Sequence, residues 1–125
     1  MTSKSPFVIL IFLLVLSGCS TDGTVLPIGP RRAPSEVNAV EIFTEYPAGA
    51  VLLGKLTSVA ATDDYPSKQR TQDAALEVLL RNGAKLGANG IVVTSSEWVP
   101  YGSDMTRSMG FEFLKIHFEA DAVRR

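Results

Sequence analysis

The 125 residues fit one domain, and 12 basic against 13 acidic side chains leave a net charge near −1, which gives no electrostatic footprint for nucleic acid. The single cysteine excludes an internal disulfide, a CxxC redox pair and a cysteine-built metal site. The single histidine stands in no HExxH and no GxSxG occurs, so the chain is read as a non-enzyme that carries no cofactor.

The chain begins with a secretory signal. Lys4 precedes the apolar run from Phe7 to Leu16, and the small residues Ser17 and Gly18 lead to Cys19. The run is too short to span a hydrocarbon layer that needs about 20 residues, so residues 1–18 are expected to be removed. Only Lys4 among the charged residues leaves with them. The quartet Leu16-Ser17-Gly18-Cys19 resembles the lipobox of bacterial lipoproteins. The resemblance implies cleavage between Gly18 and Cys19, a diacylglycerol on the Cys19 sulfur and, in most diderm bacteria, a third acyl chain (such as palmitate) on the new amino terminus. Two or more chains anchor a protein stably where one holds only marginally. Ser20 stands where an inner-membrane retention signal often has aspartate, which by family analogy favours the outer membrane.

Residues 19–36 read as a lipidated cysteine and a flexible tether. Pro27, Pro30 and Pro34, with Gly23 and Gly29, forbid a helix and favour extended chain that reaches roughly 50 Å at most. Arg31 and Arg32 are read as solvated linker charges, the alternative being contact with anionic headgroups. Val37 to Thr44 has the composition of a strand, Glu45 to Gly49 that of a turn, and Val51 to Ala60 that of a second strand broken at Gly54 by a bulge or a close backbone approach. The two strands are expected to pair as an antiparallel hairpin. Asp63 and Asp64 follow in a polar loop; as neighbours they point apart, and no third ligand lies near in sequence, so they are read as solvated.

Ser67 to Leu86 is the one long segment of helical period. Ala75, Leu76, Leu79, Leu80, Gly83 and Leu86 share a face, Ser67 can cap the start, and Glu77 and Arg81 form an i, i+4 pair. Gly83 is read as a thin spot where the helix lies on the sheet and Gly87 as the terminus. The glycines at 87 and 90 follow a helix and precede a strand, the reverse of a phosphate-binding loop. Ile91 to Ser96 reads as a central strand, and Glu97 to Gly110 as a long connection whose Trp98, Tyr101, Met105 and Met109 are the candidate partner contacts. The alternative for Trp98 is packing over the core edge. Phe111 to Ala120 reads as the last strand, with Phe111 and Phe113 out of phase with its apolar face, so that either a bulge sits near Leu114 or both faces are partly buried there, and 122–125 reads as a polar tail. His117, between Lys115 and Glu119 on the polar face, is read as solvated or paired across strands.

The expected domain, 37–121, is therefore of α+β class, a β-β-α-β-β mixed sheet with one helix packed on one face. That order, with Leu53-Gly54-Lys55-Leu56 before the helix and Leu86-Gly87-Ala88-Asn89-Gly90-Ile91-Val92-Val93 after it, resembles small bacterial envelope domains: the sensor lipoproteins of the Rcs envelope-stress phosphorelay and the YbjQ-like family. The Rcs sensor's fold carries disulfides; with Cys19 alone, this chain cannot share chemistry based on them. The expected function is a lipid-anchored, periplasm-facing binding, sensing or structural module of the cell envelope, acting through contacts with another envelope protein. Apolar residues on both sides of 91–93, with Phe111 and Phe113, suggest a second sheet face covered by such a partner or by another copy, as ring assembly in YbjQ-like relatives would imply. The alternative is a small-ligand or metal-binding module using Asp63, Asp64 and His117.

Overall fold

A computed structural model of the chain describes residues 21–102 and 113–125. It contains strands β1 (Asp22–Pro27), β2 (Glu41–Phe43), β3 (Val51–Ala61), β4 (Gly90–Tyr101) and β5 (Phe113–Arg124), with one helix, α1 (Lys68–Lys85), between β3 and β4. The strands form one sheet in the order β1-β3-β5-β4-β2. All pairings are antiparallel except β2 with β4. The α+β class, the mixed sheet and the single helix on one face are as expected.

Helix α1 forms where the local signals put it. Ser67 Oγ accepts from the Arg70 amide at 3.1 Å, and Arg81 Nη2 lies 2.7 Å from Glu77 Oε1. At the other end Gly87, at φ 83°, closes a Schellman motif: its amide bonds to Ala84 O and the Ala88 amide to Gly83 O, each at 3.0 Å. The helix buries Thr71, Ala75, Leu79, Gly83 and Ala84 against one sheet face. Leu53, Leu56, Ala60, Ile91, Ile116 and Phe118 are buried from the sheet side. A Cβ on Gly83 would stand 2.9 Å from Ile91 Cδ1, so its lack of a side chain is what lets the helix lie this close. Gly54 marks both features expected of it. The β3–β5 register shifts between Leu52 and Gly54, and a Cβ there would meet Leu86 Cδ1 at 2.6 Å.

Four expectations are corrected. The segment read as a flexible tether supplies β1, which pairs with β3 from Asp22↔Val59 to Pro27↔Gly54. Gly23 lies under the helix, where a Cβ would come within 2.5 Å of Val78 Cγ1, and Ser35 donates its amide to Ala84 O at 2.8 Å. The hairpin between 37–44 and 51–60 does not form. Val37–Ala39 is a 3-10 turn, and the three-residue β2 pairs parallel with β4 from Glu41↔Gly90 to Phe43↔Val92. The strand at 91–96 is not central: that place belongs to β5, and β4 runs on to Tyr101, taking Glu97 to Tyr101 out of the expected connection. Pro100 is tolerated because β2 reaches only to Val92, so that among the described residues this part of β4 pairs on one side only. Finally, the expected polar tail continues β5, with Ala122 and Val123 fully buried.

Candidate functional site

The register sets what meets at each end of the sheet. Asp22 pairs with Val59, Val59 with His117, and His117 with Glu97. Four rungs beyond, Tyr101 pairs with Phe113. At this end a cleft of about 230 Å³ is lined by Asp22, Asp63, Asp64, Tyr101 and Lys115 over the backbone of Val59 to Ala61. Tyr101 is fixed on three sides. Its hydroxyl donates to Asp63 Oδ1, its ring meets Phe113 at a centroid distance of 5.8 Å, and Lys115 Nζ lies 4.7 Å from the ring centre. Trp98 packs against the core on the helix face with Lys68 Nζ 4.8 Å from its ring, so the reading as a core-edge side chain describes where it lies. Phe113 is out of phase because it belongs to the open face, in contact with Tyr101; the ladder around Leu114 runs without a shift.

The cleft brings Asp63 and Asp64 together with Asp22 but not with His117, which stands exposed on the open face opposite Glu97 and Val59. Among the described residues no group of three histidine, cysteine or acidic side chains is placed to hold a metal ion. Lys115 lines the same cleft, and the Tyr101 hydroxyl donates to Asp63 Oδ1. Gly18, Cys19, Met105 and Met109 lie outside the described residues.

The opposite end of the sheet is basic. Arg31, Arg32 and Lys85 rim a groove of about 270 Å³ floored by Ile28, Leu53 and Leu86. A second groove of about 350 Å³ shares Arg32 and adds Arg124, which also donates to Gly87 O at 2.9 Å. Cations over an apolar floor can take an anionic group or an acidic segment of a partner. Sequence reasoning passed over this cluster because its members come from three separate segments; the Arg31-Arg32 pair was its one visible sign.

On the open face, Asp121 is only 7% exposed and holds two partners: the Tyr46 hydroxyl, which donates to Oδ2, and Lys55 Nζ at 3.4 Å from Oδ1. Desolvation of the phenol, with the bond to Asp121 and that carboxylate's charge, pushes Tyr46 up to about 12. Phe43 lies against Gly90 beside it, and the Arg125 guanidinium is 5.2 Å from the Phe43 ring. The second face is thus covered at its two ends by aromatic side chains of the chain itself, while Lys55, Glu97, His117 and Glu119 leave its middle polar.

No family model and no curated protein matches the chain. Among solved structures, a crystal structure of the Francisella virulence factor FvfA in its orthorhombic form is similar, with a TM-score of 0.54 and 15% identity over 80% of this chain and 96% of that one. At that identity the likeness is one of fold alone.

Proposed function

We propose that the chain is a lipoprotein of the bacterial cell envelope, acylated at Cys19 and held on the outer membrane facing the periplasm. There it serves as a binding, sensing or structural module that contacts another envelope protein. The observation that supports this most is a conjunction: Leu16-Ser17-Gly18-Cys19 resembles a lipobox, and the folded domain begins two residues after it, with Thr21 buried and its hydroxyl bonded to that of Tyr65. A domain starting directly at a lipidated residue is confined to the bilayer surface, where its partners are other residents of that surface. The resemblance to Rcs-sensor and YbjQ-like domains points the same way. Cell fractionation tests the reading: the chain should sediment with outer membranes, and Cys19→Ala should leave it unprocessed or release it. A wild-type chain in the soluble periplasmic fraction would remove the anchor.

A further inference from the structure

We infer that the end of the domain carrying Tyr101, Phe113 and Trp98 lies against the lipid surface, so that the module sits on the bilayer with a fixed tilt. The inference rests on acylation at Cys19 as proposed above. Its own content is which surface meets lipid.

The anchor has almost no slack. Cys19 is two residues from Thr21, so its Cα lies within about 7 Å of Thr21 whatever path residue 20 takes. Thr21 itself is held, 8% exposed and bonded to Tyr65, and Asp22 is already paired with Val59. Continuing the β1 register by one residue puts Thr21 level with Ala60, which pairs with Ile116, which pairs with Trp98. Trp98 is therefore at the height of the last held residue before the anchor. Tyr101 and Phe113 lie three rungs further in the direction of the anchor, about 10 Å, which is at least as far as Cys19 can reach. From β1 to β4 is three strand spacings, about 14 Å. The acyl chains at one edge of the sheet and the β4–β5 end at the other are thus two supports on one plane.

The side chains at that end suit the lipid–water boundary. Trp98 and Tyr101 are half-buried aromatics, each with a lysine ammonium over its ring, from Lys68 and Lys115. Aromatic rings of this kind settle at headgroup level, with lysines reaching the aqueous side. Among the described residues the same end carries Lys68, Arg70 and Lys115 against Asp22, Asp63 and Asp64, three charges of each sign. The contact argued here is the aromatic one, not one of net charge. The basic grooves around Arg31, Arg32 and Lys85 are carried to the far end of β1, six residues or about 20 Å away, and face the aqueous compartment.

Trp98 is the sole tryptophan, so replacing it leaves a placed tryptophan as the only emitter. The full acylated protein carrying Tyr101→Trp in a Trp98→Phe background, purified from membranes with its mass checked, is placed in phosphatidylcholine vesicles whose acyl chains are brominated just below the headgroup. The Tyr101→Trp emission should be lost relative to unbrominated vesicles, equally with and without added phosphatidylglycerol. A second reporter, Val51→Trp in the same Trp98→Phe background, stands at the opposite end of β3, where Val51 is 52% exposed, and should keep its emission. Acylated protein whose Tyr101→Trp reporter is unquenched, or whose two reporters are quenched alike, overturns the orientation while the anchor stands. A mass without acyl chains overturns the anchor, and the orientation with it. Photocrosslinks from Tyr101 in cells that capture protein and no lipid also overturn the orientation.

Discussion

Tyr46 and Asp121 show at the scale of one residue how the open face holds a buried carboxylate without a second layer. Asp121 sits in a strand flanked on both sides, where a buried carboxylate needs hydrogen-bond partners; Lys55 supplies one and the Tyr46 hydroxyl the other. Tyr46→Phe should destabilise the domain by about 1 kcal/mol at neutral pH, read by urea unfolding. The phenol is pushed up to about 12 in the folded chain against about 10 in the unfolded one. Its contribution is therefore fully present below pH 10 and is lost as the pH rises towards 12, and the gap between wild type and Tyr46→Phe should close over that window. A gap that persists unchanged above pH 12 would mean the hydroxyl is not what holds Asp121. Nothing in the sequence announced this pair, because residues 46 and 121 meet only through the turn before β3 and the last strand. The glycines were legible: at 83 and 87 the sequence alone gives their roles, since a helix-face gap and a helix stop are local facts.

At the scale of an element, β1 separates a docked strand from a tether. If residues 22–27 were free, Gly23→Val would be silent; paired with β3 and lying under Val78, it cannot be. Overpacking at that contact should cost about 1–3 kcal/mol, or release β1 and expose the amides of Asp22 to Leu26 to hydrogen exchange. Unchanged stability and unchanged protection would contradict the docking. The reasons β1 and β2 were misread are physical. Helix α1 is specified by spacing, a capping serine and a terminal glycine, all within twenty residues of each other, whereas strand pairing is decided by partners far along the chain. Prolines 27, 30 and 34 read as a tether because they bar a helix, yet Pro27 ends an edge strand, where a missing amide is tolerated. Val37 to Thr44 has strand composition, but composition does not say that its partner is β4 rather than β3. For the same reason Asp22 joins Asp63 and Asp64 through register, with no motif to signal it.

For the whole molecule, the consequence of a docked β1 is that acylation at Cys19, as proposed, would leave no long tether between fold and bilayer. A domain standing about 50 Å off the bilayer and one resting on it are different machines: the first searches a volume, the second presents fixed surfaces at fixed heights. In the second, the open polar face stands upright beside the membrane, and the basic grooves face away from it. Every part of this picture depends on chemistry at one sulfur atom. The most direct measurement is the mass of the amino-terminal peptide of the protein isolated from cell membranes. The expected peptide begins at Cys19 and is heavier by a diacylglycerol, with or without a further acyl chain on its amino group. A peptide that retains residues 1–18, or one that begins at Cys19 with an unmodified thiol, would contradict the anchored module.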